Sequence, residues 1–205
     1  MARGRAAAAL ALAVLATASA TAAPAAARAS KRTCHPAHTK TLMASARVRV
    51  FESNTTHATY GCLLSRKRPH RFYVPDFPTG YDPIAVAGRF VAYGAYSDCA
   101  AGFCDPNGVI VQDLRTGHVT FADASLRVAT VHSLVLRANG SVAWIQSSFN
   151  ELGSFLPGFA VVKVQRGQPP VILDSGPTVA PDSLALAGGT LYWTKDGTPS
   201  SGALG

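Results

Sequence analysis

Apolar and polar positions alternate in short runs along this chain, and the arrangement recurs about every 50 residues. Three segments each hold an apolar run, a turn of small residues and a second apolar run that ends in an aromatic residue: Ile84–Tyr93, Leu134–Trp144 and Leu184–Trp193. Short apolar runs separated by turn residues are typical of β-hairpins. We therefore predict an all-β protein, with no amphipathic helix after the N-terminal segment.

A second hairpin follows the first one in two of these repeats. Its strands and turns are Val109–Leu114, 115–117 and His118–Phe121 in one copy, and Phe159–Val164, 166–167 and Pro170–Leu173 in the other. The glycines Gly117 and Gly167 fall at equivalent places in the two turns. A degenerate first copy runs through residues 47–74.

The tight turns of the first hairpins carry glycine. Asn139-Gly140 predicts a type I′ turn, because that turn needs positive φ at both central positions. Gly88 and Gly188-Gly189 give the same backbone freedom to the other two hairpins.

A unit of about 50 residues with up to four short strands is typical of a β-propeller blade. We predict repeated antiparallel meanders over residues 41–205, in units of about 41–78, 84–124, 134–174 and 184–205. The architecture is expected to be propeller-like, with about four blades or an incomplete ring. A ring could close through residues 39–45 or through a second copy, and the alternative is a β-sandwich with repeated hairpins.

The segment Leu191–Asp196 reads LYWTKD and resembles the LYWTD element of YWTD-type β-propellers, with Lys195 inserted. The wider pattern, over about residues 41–205, is similar to the TolB-like and other exported propeller repeats of bacteria. In those families the aromatic residue packs between blades. The resemblance implies this structural role for Trp193 and, by alignment, for Trp144 and Tyr93.

The N-terminus is typical of a secretory signal peptide. Arg3 and Arg5 precede an apolar stretch centred on residues 10–15, and small residues suited to cleavage follow. We predict a signal peptide over residues 1–20, with alternative cleavage sites up to residue 29, and then a basic N-terminal segment over 21–40. The protein is expected to be secreted or extracytoplasmic, with no membrane span after cleavage.

The net charge of +8 is unevenly distributed, because residues 1–71 hold 12 Lys and Arg against one acid whereas residues 72–205 hold 7 against 10. The basic run Ser65–Arg71 would suggest nucleic acid in another compartment. In an exported protein we interpret it as a solvated turn, with anionic polymers or lipid headgroups as the lesser alternative. No nucleic-acid partner is expected.

Four cysteines in an exported chain predict disulfides. Of the three possible pairings we favour Cys99–Cys104 together with Cys34–Cys62. The group Cys34, His35 and His38 has zinc-type ligands, but no second cluster follows and a disulfide would consume Cys34. No metal or other cofactor is predicted.

In a meander successive turns alternate between two ends of the strands. The tight turns, which carry Arg66, Lys67, Arg68, Arg71, Arg89, Arg115, Arg137 and Arg166, are expected at one end. The long loops, which carry ten of the eleven acids, are expected at the other. Because loops on a rigid scaffold commonly carry function, the acidic face is the predicted binding surface, with calcium conceivable there. Its candidate residues are Tyr81, Asp82, Asp98, Phe103, Asp105, Glu151 and Asp182.

No catalytic residue is assigned, since the sequence has neither a G-x-S-x-G element nor a phosphate-binding glycine loop. The leading hypothesis is an exported, non-enzymatic binding or protein-interaction module with an unknown protein or glycan ligand. The alternative is an extracellular hydrolase or lyase that acts on glycans. Self-association through an open blade edge is a further possibility.

Overall fold

The computed structural model describes residues 33–72, 78–80, 82–97, 108–122, 127–149 and 157–205. Within these ranges every regular element is a β-strand, and the strands form four antiparallel sheets. The predicted all-β class with repeated meanders is thus confirmed. The predicted signal peptide and residues 21–32 of the basic segment lie outside the described residues. The described part of the chain contains no helix of the length and apolarity needed to cross a membrane.

The first sheet is a four-stranded meander in which each strand pairs with the next. Its strands are β1 (Thr39–Ala44), β2 (Val48–Ser53), β3 (Thr59–Leu63) and β4 (Arg68–Arg71). Side chains alternate along β2, so that Val48 and Val50 face the second sheet while Arg49 and Phe51 face the opposite side.

The second sheet repeats this meander with one extra short strand. Its strands are β5 (Pro78–Gly80), β6 (Ile84–Ala87), β7 (Phe90–Ser97), β8 (Gly108–Asp113) and β9 (Val119–Ala122). Both β5 and β6 pair with β7, which then pairs with β8.

The third sheet has four strands and the fourth has three, in chain order. They are β10 (Arg127–Leu136), β11 (Val142–Phe149), β12 (Phe159–Val164), β13 (Val171–Gly176), and then β14 (Ala185–Ala187), β15 (Thr190–Lys195) and β16 (Thr198–Ala203). None of the four sheets closes on itself.

The described residues form four apolar clusters: one joins Cys34 to the first sheet, and each of the other three lies between one sheet and the next. Tyr93 packs against the first sheet, Trp144 against the second and Trp193 against the third. All three side chains are buried. The structural role expected for these aromatic residues is confirmed, and each one fills the space between two consecutive sheets.

The turn at Asn139-Gly140 differs from the prediction. Gly140 has a φ of 93°, but Asn139 is not among the residues with positive φ, so the type I′ prediction is wrong. The hairpin loop spans residues 137–141: the Gly140 N–H donates to the Arg137 carbonyl, and the Asn139 side chain accepts from the Ser141 N–H at 2.9 Å. A side-chain acceptor of this kind stabilises a longer turn that places only the glycine in the left-handed region.

On the outward side of the first sheet Cys34 packs against Phe51 and Cys62, and we name residues 34–38 the N-terminal cap. Cys34 forms the predicted disulfide with Cys62 of β3, which confirms that pairing. Nη1 of Arg49 donates to the Cys34 carbonyl at 2.6 Å, and its other nitrogens donate to Thr41 and Thr39. Phe51 beneath the cap is 2% exposed. A disulfide is compatible with an extracytoplasmic protein.

Candidate functional site

The meander order places the short turns of neighbouring sheets side by side, at what we call the short-turn end. The close approach of Gly88 to Ala138 and of Gly140 to Phe90 shows how tightly the second and third sheets meet there. A Cβ at Gly140 would lie 3.2 Å from the Phe90 ring. Between these two sheets lies an open cavity of about 630 Å³, which we call the central cleft.

The central cleft has an apolar floor and a polar rim. The floor side chains come from strands of both sheets and are Phe90, Val111, Val142 and Val164. The rim comes mostly from the short turns and includes Arg89, Asp113, Thr116, His118, Arg166 and Gln168. Cavities of a few hundred Å³ with this composition are the usual size for small-ligand sites.

The carboxylate of Asp113 is engaged within the protein. Nε of Arg89 lies 3.0 Å from Oδ2 of Asp113, an ion-pair contact without hydrogen-bond alignment. Oδ1 accepts from the backbone N–H of Arg115 at 2.9 Å. Because Asp113 is almost fully buried, this pairing neutralises the only acid among the described residues that line the cleft.

Among the described residues of the rim, Arg166 is the arginine without a carboxylate partner. Its guanidinium carbon lies 5.3 Å from the centroid of the Phe90 ring, a cation–π arrangement. No carboxylate of a described residue forms an ion pair with it. Arg89 lies 5.0 Å from the same ring centroid. Two guanidinium groups thus lie near the Phe90 ring, of which that of Arg89 is paired with Asp113 and that of Arg166 belongs to an exposed residue.

His70 of the first sheet lies beside the turn of the second sheet that carries Gly117, since a Cβ at Gly117 would come within 2.6 Å of its Nδ1. Burial and the nearby charge of Arg68 lower the pKa of His70, although the carboxylate of Asp113 opposes them. The neutral imidazole is thus the form that fits between the sheets.

The predicted acidic face is described only in part. Asp82 and Asp182 are both exposed to solvent. Tyr81, Asp98, Phe103, Asp105 and Glu151 lie outside the described residues, as does the predicted disulfide Cys99–Cys104. Within the described ranges no three His, Cys, Asp or Glu side chains are grouped for metal binding. The acidic face stays a prediction.

Sequence reasoning assigned Arg89 and Arg166 to the short-turn end but did not select that end as a site. The missing information is the packing of the third sheet against the second, which brings Arg166 to the Phe90 ring. The signal that could have found the cleft is that both arginines lie in short turns of consecutive repeats, at the same predicted end of the strands.

No family model matches the chain, and no curated protein matches it. Among solved structures it is similar to one described as a complex of KlAtg21 with the coiled-coil of AgAtg16, with a TM-score of 0.53 and 11% identity. The match covers 82% of this chain and 53% of the other, so that the chain spans about half the length of that structure. At this identity the likeness concerns the fold alone.

Proposed function

We propose that the protein is an exported, non-enzymatic binding module and that the central cleft takes an acidic glycan fragment. The observation that carries this proposal is Arg166, a cation held over Phe90 at the mouth of a cleft of about 630 Å³ with no carboxylate partner among the described residues. A guanidinium group fixed on an aromatic ring is suited to bind a planar carboxylate.

The other rim and floor groups fit a sugar better than a purely aromatic acid. Thr116, Thr120 and Gln168 offer hydroxyl and amide groups that pair with sugar hydroxyls. Val111, Val142 and Val164 supply the apolar floor against which the C–H face of a sugar ring packs. The cleft volume suits a short oligosaccharide.

Export is part of the proposal. It rests on the N-terminal sequence pattern and on the Cys34–Cys62 disulfide, which persists in oxidising compartments. An extracytoplasmic location would also expose the cleft to the glycans of a cell wall or matrix.

The alternative of a glycan hydrolase or lyase has less support in the cleft. Glycoside hydrolysis generally needs two carboxyl groups about 5 to 10 Å apart. Among the described residues that line the cleft, Asp113 is the one carboxylate, and it is held by Arg89 and by a backbone N–H. The arrangement favours binding.

Calorimetric titration with a trimer of galacturonic acid and with the neutral galactose trimer tests the proposal. We expect the acidic trimer to bind at least about tenfold more tightly, because one charge-assisted contact contributes roughly 1.5 to 3 kcal/mol. Arg166→Ala should remove this preference. Equal affinity for the two trimers, or no binding, would contradict the acidic-glycan proposal.

Arg66→Ala is the matched control, since it removes the same charge from a short turn of the first sheet outside the cleft. It should leave the titration unchanged. Assaying the same mixtures for new reducing ends separates the two functions, because product formation would establish the enzymatic alternative.

A further inference from the structure

A second cavity lies at the short-turn end, between the first and second sheets, and we call it the flanking cleft. Its volume is about 390 Å³. The first sheet lines it with Arg47 of the β1–β2 turn and with residues 63–65, where β3 ends, and the second sheet lines it with the turn that carries Arg89. This volume is within the range of small-ligand sites.

Arg89 borders both cavities, because the same side chain also lines the central cleft. Its Nε faces Oδ2 of Asp113 at 3.0 Å. No described residue accepts a hydrogen bond from Nη1 or Nη2 of Arg89. A guanidinium group has five N–H donors in a rigid fork, so these two nitrogens can donate to a ligand while Nε stays with the carboxylate. The two clefts therefore meet at one hydrogen-bonding group.

Arg47 is the second cation of the flanking cleft, and it has no carboxylate partner among the described residues. Its carbonyl accepts from the Leu64 N–H at 2.9 Å, and its own N–H donates to Oγ of Ser45 at 3.3 Å. The carbonyl of Arg89 likewise accepts from the Leu114 N–H at 3.0 Å. Both arginines thus extend from turns whose backbone is held by hydrogen bonds.

The flanking cleft repeats the chemistry of the central cleft. Each has an arginine without a carboxylate partner among the described residues, Arg47 in one and Arg166 in the other. Leu63 and Leu64 supply apolar wall, and Ser65 offers a hydroxyl group. An acidic glycan carries carboxylates at intervals along its chain, and such a ligand meets the same kinds of group in both cavities.

We propose that the flanking cleft is a second acidic-sugar subsite, so that one acidic glycan runs along the short-turn end from Arg166 past Arg89 to Arg47. This inference rests on the proposed function and adds to it the length of the ligand. The charges favour this occupant, because the three arginines of the two clefts face one acid among the described lining residues, Asp113. The protein should accordingly select a polymer over a short fragment.

Calorimetric titration of the full mature chain with the trimer and with the hexamer of galacturonic acid tests the subsite. The wild type should bind the hexamer at least about tenfold more tightly than the trimer, because one more charge-assisted contact forms. In Arg47→Ala this gain should fall to the small statistical factor that arises because a longer chain can bind in several registers. The variant should bind the trimer as the wild type does, which also shows that its fold is intact.

Arg66→Ala is the matched control, since Arg66 lies in the next short turn of the same sheet and lines neither cleft. It should keep the wild-type ratio of the two affinities. A wild type that binds the trimer but gains no more than the statistical factor from the hexamer would overturn the subsite and leave the proposed function standing. Binding of neither ligand would overturn both.

The control also separates the subsite from general electrostatic attraction. If Arg66→Ala lost the hexamer gain as Arg47→Ala does, the gain would follow the positive charge of the short-turn end as a whole, and the subsite would be overturned. Retention of the full gain in Arg47→Ala would overturn it as well, since the added sugars would then bind elsewhere.

Discussion

The indole Nε1 of Trp193 donates a hydrogen bond of 2.9 Å to Oδ2 of Asp174, and this bond connects the central strand of the fourth sheet to the outer strand of the third. Lys195, the inserted residue of the LYWTKD segment, approaches Oδ1 of the same carboxylate at 2.6 Å. The aromatic residue and the insertion thus act together on one acid of the preceding sheet. The departure from the LYWTD pattern has a structural reason in this chain.

Asp174→Asn should lower the free energy of unfolding at neutral pH by roughly 1 to 2 kcal/mol, since it weakens two hydrogen bonds to a charged group. Burial by itself would raise the pKa of Asp174, but the bonds from Lys195, Trp193 and the Ser175 backbone outweigh it and lower the pKa. The stabilisation is therefore present above the pKa of the unfolded chain and is lost as pH falls through the lowered pKa.

Urea unfolding at pH 7 and at about pH 3 measures this effect. The difference in the free energy of unfolding between the wild type and Asp174→Asn should be smaller at the acidic pH. The exposed residue Asp182 supplies the control Asp182→Asn. If Asp182→Asn lowered the free energy of unfolding as much as Asp174→Asn does, a specific role for Asp174 would be contradicted.

His70→Gln should reduce the acid sensitivity of the fold. Because the pKa of His70 is lowered from 6.5 in the folded protein, the unfolded chain binds more protons below about that pH. The free energy of unfolding of the wild type should then fall as pH drops below that value, and fall less in the variant. Thermal melts at several pH values below about 6.5 measure how steeply stability falls with pH. The exposed His35 provides the control His35→Gln, which should keep the wild-type slope.

Cys34→Ser with Cys62→Ser should destabilise the protein by roughly 3 to 4 kcal/mol on the chain-entropy estimate for a separation of 28 residues. Denaturant unfolding of the double variant measures the loss. Proteolysis should in addition release the cap before the rest of the chain is cut. A cap as resistant as that of the wild type would show that Arg49 alone suffices to hold it.

Gly140→Ala should lower the free energy of unfolding more than Gly167→Ala does. Both glycines have positive φ, which costs an alanine roughly 1 to 2 kcal/mol. A Cβ at Gly140 also meets the Phe90 ring, whereas a Cβ at Gly167 has no neighbour within 4 Å. The difference between the two unfolding free energies isolates the packing of the Phe90 ring under the cleft. Equal costs would show that this ring shifts freely.

The sequence predicted those features that depend on neighbours along the chain. The short apolar runs around Tyr93, Trp144 and Trp193 predicted the hairpins and the burial of these aromatic residues, because both depend on the alternation of side chains along a strand. The Cys34–Cys62 pairing followed from compartment and position. These predictions needed no knowledge of how the sheets are placed.

The features that escaped prediction depend on contacts between sheets or on competition within a turn. Arg166 over Phe90 joins the third sheet to the second across about 75 residues of chain, and its geometry follows from how these two sheets pack. The Asn139-Gly140 turn departs from type I′ because the asparagine side chain accepts a hydrogen bond from Ser141. The residue preferences of turns alone do not decide between a type I′ turn and this longer turn.

The sheets form a linear series in which each apolar cluster joins two consecutive members. The second and third sheets are held on both sides, whereas the fourth has three strands and one such cluster. In a series of this kind, opening begins where a unit has one neighbour. Amide hydrogens of β14–β16 should accordingly exchange with solvent before those of β7 and β11, which belong to sheets packed on both sides.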